Sequence, residues 1–402
     1  MANLREKFDD LHCGLRSLAV FRSLLKDEVI SALSELLRLH ADGSSFDTDV
    51  YSEFVSRLYR SSANLSEYIF KAVCEDENFY ISGKARGLVF DKAVEDAVDN
   101  ELAVLEEAAA LTPGELQYGY YRRHPLAAWN VTDIDFRREY RKRIENIGSY
   151  GYGTFAKSTM FIFRNGEAVP VRFPDSQRLE DLYGYERERQ EVYANTLALA
   201  EGKQAQNTLL YGDAGTGKSS TVKAVVNALA DKGLRLVEVT KEQLKDIPVL
   251  IDRLTADPLK FIIFIDDLTF TAGEDSFGAL KAALEGSAAA RAKNVAIYAT
   301  SNRRHLVKET FSDREGDDIH RNDTMQELLS LSARFGLRVN FQRPDKKNYV
   351  AIAAQLAHSS GIELPEEEIA LRAEQFAISS GNGRSPRTAR QFIDQLKLIL
   401  GY

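Results

Sequence analysis

The spacing of apolar residues differs between the N-terminal part of the chain and the rest. Between Leu4 and about Glu107, apolar residues recur at intervals of three and four positions, and this spacing predicts amphipathic helices. Turn-forming residues at 43–47 and 112–114 interrupt the pattern and separate it into short segments. The pattern therefore predicts a helical N-terminal domain, which we assign to residues 1–147.

A change to alternating apolar and polar positions marks residues 160–173. Two such segments flank Asn165-Gly166, a dipeptide typical of the two-residue turn of a β-hairpin. The segment 148–156 contains a partial G-x-G-x-x-A motif, but no strand leads into it, so we interpret it as a flexible linker and not as a dinucleotide site. Linker and hairpin together are assigned to residues 148–177.

Five short apolar segments then alternate with helical stretches. Strands separated by a dozen or more helical residues are typical of a mainly parallel, doubly wound α/β sheet. The five predicted strands are NTLLYG at 207–212, LRLVEV at 234–239, FIIFID at 261–266, NVAIYATS at 294–301 and LRVNFQ at 337–342. We assign a five-stranded α/β core to residues 178–343 and a small helical lid to residues 344–402.

A complete phosphate-binding motif, G-x-x-x-x-G-K-S/T, follows the first predicted strand and precedes a predicted helix. Its glycines allow the backbone to curl so that N–H groups face phosphate oxygens, and the helix adds its positive N-terminal end. We expect Lys218 to contact the β- and γ-phosphates and the Ser219 hydroxyl to ligate Mg²⁺. The nucleotide-binding residues predicted from this motif are Gly212, Asp213, Ala214, Gly215, Thr216, Gly217, Lys218, Ser219 and Ser220.

Two carboxylates end the predicted strand FIIFID. Asp266 and Asp267 therefore lie at the carboxyl edge of the sheet, where α/β proteins bind ligands. We expect Asp266 to hold Mg²⁺, directly or through water, and Asp267 to orient or deprotonate an attacking water. The chain lacks the N-K-x-D sequence that accompanies guanine specificity, so ATP is the expected nucleotide.

The charge balance limits the partners. With 52 Lys and Arg against 60 Asp and Glu, the chain has a net charge of −8, which disfavours coating of a polyanion by the whole surface but allows a local basic site. Two segments, Tyr121–His124 and Arg137–Arg143, mix basic and aromatic residues as nucleic-acid surfaces do. A solvated helix face explains them equally, so the sequence allows nucleic-acid binding without indicating it.

Location and metal content follow from what the sequence lacks. No apolar stretch reaches the roughly 20 residues that cross a bilayer, and the N-terminal segment has no apolar core of a secretory signal. Cys13 and Cys74 form neither a C-x-x-C pair nor a disulfide framework, and the six histidines show no zinc-ligand spacing. We expect a cytoplasmic protein without a membrane span or a structural zinc.

Beyond the phosphate motif and the Asp-Asp pair, the chain resembles the AAA+ ATPases from about residue 178 to residue 391. The strand NVAIYATS leads into Asn302, and the resemblance implies that this residue is the polar sensor that positions the hydrolytic water. In the segment LSARFG, the resemblance implies that Arg334 is the arginine finger that reaches the nucleotide of a neighbouring subunit. Arg314 and Arg321 are rival candidates for that role.

The predicted lid carries a second resemblance to that family. In the segment GRSPRTAR, the resemblance implies that Arg387 contacts the γ-phosphate, with Arg384 and Arg390 as close alternatives. The segment LEDLYGY is similar to the stretch that packs on adenine in these ATPases. We interpret its Tyr183 and Tyr185 as packing residues and not as specific readers of the base.

More narrowly, the motifs GDAGTGKSS, TSNRRHL, FSDREGDDIH and SPRTARQF resemble those of a bacterial AAA+ family, domain of unknown function 815. The resemblance implies an ATPase that works as a homo-oligomeric ring or spiral, with six subunits expected, and that remodels a protein or nucleoprotein client. The Asp-Asp ending differs from the Asp-Glu common in AAA+ proteins, and Asp267 is one methylene shorter than Glu. The alternative is therefore a nucleotide-gated binding module, or a helicase-loader-like platform on DNA, with slow hydrolysis.

Overall fold

The computed structural model describes residues 2–43, 46–268, 276–285, 292–302 and 333–401. These residues form two compact units that divide after Lys157. No helix in these ranges is long and apolar enough to cross a bilayer.

The regular elements of the N-terminal unit are helical, as the apolar period predicts. Local caps start several of them: the Asp27 side chain accepts hydrogen bonds from the N–H groups of Val29 and Ile30, and Asn64 caps the helix at Leu65. A short 3₁₀ segment spans Arg22–Lys26. The α-helices are α1 (Ala2–Arg16), α2 (Glu28–Ala41), α3 (Thr48–Tyr59), α4 (Leu65–Glu75), α5 (Phe79–Ala85), α6 (Lys92–Ala109), α7 (Pro113–Leu116), α8 (Phe136–Glu145), α9 (Ile147–Tyr150) and α10 (Gly153–Lys157).

Residues 148–157 differ from the flexible linker expected there, because α9 and α10 belong to the first unit. The Arg143 guanidinium lies over the Tyr150 ring, 4.9 Å from its centroid. A Cβ atom at Gly153, whose φ is +58°, would collide with the Glu77 carboxylate. The glycines of this segment therefore permit close packing and a left-handed backbone, and the segment packs against the helices before it.

In the part of the chain that the structure describes, a seven-stranded sheet forms the centre of the second unit. Its strands run in the spatial order β2-β1-β4-β5-β6-β3-β7, and all neighbouring pairs are parallel except β1 and β2. The strands are β1 (Met160–Arg164), β2 (Glu167–Pro170), β3 (Thr208–Gly212), β4 (Leu234–Glu238), β5 (Lys260–Ile265), β6 (Val295–Ser301) and β7 (Leu337–Phe341). The mainly parallel α/β sheet of the sequence prediction is confirmed.

The hairpin adds two strands to the five that the sequence predicts for the core. Asn165 and Gly166 have φ angles of 52° and 80°, as a type I′ turn requires, so the predicted hairpin is confirmed. β1 pairs in parallel with β4, and the hairpin therefore extends the sheet. The edge of β4 would otherwise present unpaired N–H and C=O groups, which β1 satisfies.

Helices cover both faces of this sheet. Ile262 and Phe264 share an apolar cluster with residues of α11 and α12, while Phe261, Ile263 and Ile265 alternate to the other face and are also buried. Strands buried on both faces have continuous apolar sequences, as β5 does. The α-helices of this unit are α11 (Glu186–Ala200), α12 (Lys218–Ala228), α13 (Ile247–Thr255), α14 (Ser276–Glu285), α15 (Lys346–Ser359), α16 (Glu366–Ser379) and α17 (Pro386–Leu400).

The last three helices, α15 to α17, form the lid. They enclose an apolar cluster of their own, which includes Tyr349, Ala373 and Phe392. Helix α17 begins with Pro386 after the cap Ser385, an arrangement that fixes where the helix starts. The start of α17 lies beside the phosphate loop, since the backbone N–H of Arg387 donates to the Gly215 carbonyl. The cap therefore sets the position of the lid arginines relative to that loop.

Candidate nucleotide site

Three neighbouring strands deliver the predicted polar residues to one edge of the sheet. β6 lies between β5 and β3, and all three run in parallel, so their carboxyl ends meet. The phosphate loop follows β3, Asp266 and Asp267 follow β5, and Asn302 follows β6. The structure therefore brings these residues together from segments that are far apart in the sequence.

The loop between β3 and α12 has the backbone geometry that its glycines allow. Gly212, Gly215 and Gly217 have φ angles of 135°, 77° and 90°, values that side-chain-bearing residues rarely adopt. A Cβ atom at Gly212 would also collide with the backbone of Phe341. The Thr216 hydroxyl donates a 2.8 Å hydrogen bond across the loop to the Asp213 carbonyl. The loop is thus a compact turn that ends at the N-terminus of α12, where anions bind.

Lys218 is the cation of this loop. Its Nζ atom donates to the carbonyl oxygens of Asp213 and Gly212, at 2.7 and 3.3 Å, and to Asn302 Oδ1 at 2.9 Å. Burial of the ammonium group lowers its pKa, against the opposing charges of the nearby carboxylates, Asp213 first among them. A phosphate in the loop would supply the negative charge that this desolvated cation lacks.

Two hydroxyl groups donate hydrogen bonds to the Asp266 carboxylate. Its Oδ1 atom accepts hydrogen bonds from Ser219 Oγ at 2.6 Å and from Thr300 Oγ1 at 2.5 Å. A serine hydroxyl and a carboxylate are oxygen ligands of the kind that Mg²⁺ prefers, so this pair fits the predicted metal. Within the described ranges, no group of three or more His, Cys, Asp or Glu side chains forms a metal cluster.

Thr300 is a site residue that the sequence reasoning missed. It organises both acids, because its hydroxyl donates to Asp266 and accepts from the backbone N–H of Asp267 at 2.9 Å. The sequence signal for it is a threonine one residue before the end of β6, where the strand sequence VAIYATS changes from apolar to polar residues. Buried polar groups of this kind need hydrogen-bond partners, and here the partners are the two carboxylate residues.

Asp267 has a left-handed backbone, with φ of 51°, which is uncommon for a residue other than glycine. Its Oδ1 atom accepts a 2.8 Å hydrogen bond from Asn302 Nδ2. Asn302 therefore contacts Lys218 through its oxygen and Asp267 through its amide nitrogen. The amide links the cation of the phosphate loop to the carboxylate at the end of β5.

A cavity of about 210 Å³ adjoins the phosphate loop on the lid side. The Tyr185 ring stacks near Phe341, with 5.2 Å between centroids, and its hydroxyl donates to the Gln342 carbonyl at 2.6 Å. Burial raises the pKa of the Tyr185 phenol above its usual value. Both predicted packing residues, Tyr183 and Tyr185, line the cavity, and so do Phe341, Ile352, Leu356 and Pro386. These flat and apolar walls suit a nucleobase.

The three candidate arginines of the lid have different surroundings. Arg384 donates from Nε and from one terminal nitrogen to the Glu374 carboxylate, at 2.8 Å each. Arg390 lines the cavity and makes a 3.4 Å hydrogen bond to the Asp181 carbonyl. Arg387 also lines the cavity, and its backbone N–H donates to the Gly215 carbonyl at 3.1 Å. Arg387 thus contacts the phosphate loop itself, whereas Arg384 is held within the lid.

The structure does not bring Arg334 to this site. Arg334 precedes β7, which pairs in parallel with β3 along its whole length, so the arginine lies at the amino edge of the sheet. Five strand residues separate the two edges, a length of about 16 Å. The rival candidates, Arg314 and Arg321, lie outside the described residues.

The phosphate loop, the acids after β5, the polar residue after β6 and the helical lid together define a P-loop α/β protein of the AAA+ type. The chain belongs to the family described as "Protein of unknown function (DUF815)", whose model matches residues 156–398. The resemblance predicted from the motifs is therefore confirmed over more than half of the chain.

More distant similarities are also present. The chain is 27% identical over 192 residues to proteins named chromosomal replication initiator protein DnaA from Chloroflexus aggregans and Chloroflexus aurantiacus, with 44% of this chain and 36% of those relatives covered. Two variants of Thermotoga maritima RuvB are 15% identical, with TM-scores of 0.39 and 0.40. They cover 57% and 56% of this chain and 67% and 66% of their own chains. The chain thus spans little more than a third of the length of the curated relatives.

Proposed function

We propose that the protein binds ATP with Mg²⁺, hydrolyses it to ADP and phosphate, and as a homo-oligomer uses this cycle to remodel a protein or nucleoprotein client. One observation carries the proposal: the Asn302 amide bonds both the phosphate-loop cation Lys218 and the carboxylate of Asp267. A cation and a candidate base joined through one amide are the parts that phosphoryl transfer to water needs.

Binding follows from the loop and its surroundings. Residues Gly212 to Ser220 would hold the phosphates through backbone N–H groups and the Lys218 ammonium, and the cavity beside Tyr185 would take the base. Ser219 and Asp266 would hold Mg²⁺, with the remaining ligands coming from phosphates and water. When bound, the metal would neutralise charge on the phosphate oxygens.

Hydrolysis is assigned to the residues at the strand ends. Asp267 Oδ1 is engaged by Asn302, which leaves Oδ2 to accept a hydrogen bond from an attacking water. Asn302 keeps that carboxylate oriented, and Lys218 and Arg387 stabilise charge on the transferred phosphoryl group. Asp267, Asn302 and Arg387 are thus the proposed catalytic residues of the subunit that holds the nucleotide, and Arg334 is the one proposed to come from a neighbour.

The position of Arg334 supports an oligomer, for which we expect six subunits. An arginine at the amino edge of its own sheet lies about one strand length from its own phosphate loop, so a role at a nucleotide would require a neighbouring copy. Hydrolysis would then require assembly. The same requirement would couple the nucleotide state of one subunit to the position of the next.

A second function has its own support. Asp267 is shorter than the Glu common at this position in AAA+ proteins, and its left-handed backbone and Asn302 bond restrict its reach. Slow hydrolysis would make the protein a nucleotide-gated binding module, and the match to proteins named replication initiators favours DNA as its platform. DNA-stimulated turnover with a steep salt dependence would support this function over protein remodelling.

The test is a mixing experiment with two variants. Lys218→Ala should lose nucleotide binding, because the desolvated cation of the loop is removed, while Lys223→Ala on the same helix should bind as wild type does. Arg334→Ala should bind ATP but lose turnover by about a thousandfold. ATPase activity is measured for each variant and for equimolar mixtures.

Recovery of turnover in the mixture of Lys218→Ala and Arg334→Ala subunits would support the proposed arrangement, because each variant supplies what the other lacks. Full turnover by Lys218→Ala alone would refute nucleotide hydrolysis at this loop. Full turnover by Arg334→Ala alone would refute the arginine finger.

A further inference from the structure

The motif residue Asp213 makes contacts that nucleotide binding does not require. Its Oδ2 atom accepts a 2.7 Å hydrogen bond from the backbone N–H of Arg343, and its own N–H donates to the Phe341 carbonyl at 3.0 Å. Phe341 ends β7, and Arg343 lies in the short connection between β7 and the first lid helix, α15. Asp213 therefore ties the phosphate loop to the segment from which the lid begins.

A second contact joins the same loop to the far end of the lid. The backbone N–H of Arg387, at the start of α17, donates to the Gly215 carbonyl at 3.1 Å. A Cβ atom at Gly215 would lie 3.0 Å from Ser385 Oγ and 3.2 Å from Arg387 Cβ. The lid thus contacts the loop both where the lid chain enters and where its last helix starts.

The side chain of Arg343 lies close to the lid segment that precedes α17. Its Nη1 atom lies 2.7 Å from the position of a Cβ atom on Gly383, whose φ is +68°. Gly383 precedes the cap Ser385 of α17 by two residues. Asp213 therefore bonds Arg343, whose side chain lies close to Gly383 just before α17, and α17 bonds the loop again at Gly215.

We propose that Asp213 is a positioning residue, which through its hydrogen bond to the Arg343 N–H couples the state of the phosphate loop to the position of the lid. This proposal rests on the proposed function, because the loop must bind a nucleotide for the coupling to operate. The role needs an acceptor oxygen at residue 213 and does not need its charge. Asparagine keeps that acceptor, and alanine removes it.

Hydrogen exchange provides a test with a readout that needs no turnover. Without nucleotide, the Arg343 amide should exchange at least threefold faster in Asp213→Ala than in wild type, and at the wild-type rate in Asp213→Asn. With a non-hydrolysable ATP analogue, wild type and Asp213→Asn should both gain protection in residues 386–400. Asp213→Ala should gain less than a third of that protection and bind the analogue about fivefold more weakly. Asp252→Ala, an exposed acid on α13, is the control and should behave as wild type.

The outcomes separate this inference from the proposed function. Equal lid protection in Asp213→Ala and wild type would overturn the coupling while leaving ATP binding intact. Loss of protection in both Asp213→Ala and Asp213→Asn would overturn it too, because the charge and not the acceptor would then be responsible. A wild-type protein that binds no nucleotide would refute the proposed function, even if the Arg343 amide responds as expected. Circular dichroism melting of each variant shows whether it is folded.

Discussion

The interior of the N-terminal unit and the carboxyl edge of the sheet use carboxylates in opposite ways. Glu101, buried in α6, accepts four hydrogen bonds from the backbone N–H groups of Ala19, Val20 and Phe21 at 2.8–3.1 Å. Asp267 is exposed, and among the described residues one side chain, Asn302, donates a hydrogen bond to it, at Oδ1. Backbone N–H groups thus occupy the acceptor sites of both Glu101 oxygens, whereas Asp267 Oδ2 is the oxygen that we expect to accept from a ligand.

This difference separates structural charge from functional charge. A saturated carboxylate holds an irregular segment in place, since the N–H groups at residues 19–21 would otherwise be unpaired. A carboxylate with open acceptor sites on a strained backbone gains nothing for the fold by itself. Substitution should therefore affect stability in the first region and turnover in the second.

The largest effect is expected for Asp267→Asn. Loss of the carboxylate removes the group that orients or deprotonates water, so turnover should fall by about a hundredfold to ten-thousandfold, while ATP still binds. Asparagine tolerates the left-handed backbone of this position better than most residues, so the melting temperature should not decrease. Steady-state ATPase assays, nucleotide titration and thermal melting of the same preparation measure the three quantities.

The control for Asp267→Asn lies in the same site. Asn302→Ala leaves the carboxylate in place but frees it to rotate, so it should lose less turnover than Asp267→Asn does. Unchanged turnover in Asp267→Asn would show that the Asp267 carboxylate has no role in hydrolysis, and the proposed difference between it and Glu101 would be wrong.

Glu101→Gln should have the opposite profile. The amide NH₂ group would face backbone N–H donors, so the free energy of unfolding of this unit should decrease by about 1–3 kcal/mol, with ATPase turnover unchanged. The chain contains one tryptophan, Trp129, which is buried in this unit and reports its unfolding in urea. Glu107→Gln, exposed on the same helix, is the matched control and should leave the urea midpoint unchanged. A loss of turnover without a change in stability would contradict the structural role of Glu101.

The sequence predicted the elements of the nucleotide site better than the contacts around them. Period and motif spacing located β3, β5 and β6 to within one residue, because strands buried on both faces and a glycine-rich loop have strong local signals. The attachment of the hairpin to β4 and the packing of α9 and α10 depend on partners distant in the sequence, which local patterns do not specify. The saturation of Glu101 is of the same kind, although its place three residues after Val98 on the apolar face of α6 was a usable signal.

Among the site residues, the lid arginines show most clearly where sequence reasoning stops. The motif GRSPRTAR offers three cations at a spacing of three residues, and nothing in that spacing distinguishes them. The distinction comes from Glu374 on α16, which engages Arg384 in two hydrogen bonds, and from Gly215, which contacts Arg387. Both partners belong to other elements, so only the folded chain separates the arginine held within the lid from the one beside the phosphate loop.

The smallest expected effects test that separation within the lid itself. Arg387→Ala should lower kcat/KM by about tenfold, the value of one charge-assisted hydrogen bond to phosphate, with little change in melting temperature. Arg384→Ala should leave kcat/KM near the wild-type value and lower the melting temperature, because it removes the two hydrogen bonds to the buried Glu374 carboxylate. The hydrogen bonds from Arg384 lower the pKa of the Glu374 carboxyl. The stability that this pair supplies is therefore present at neutral pH and is lost on acidification, as Glu374 becomes protonated. The melting temperatures of the wild type and Arg384→Ala should therefore converge as the pH falls, whereas those of the wild type and Arg387→Ala should not. If Arg384→Ala lowered kcat/KM and Arg387→Ala lowered the melting temperature, the phosphate contact would be assigned to Arg384.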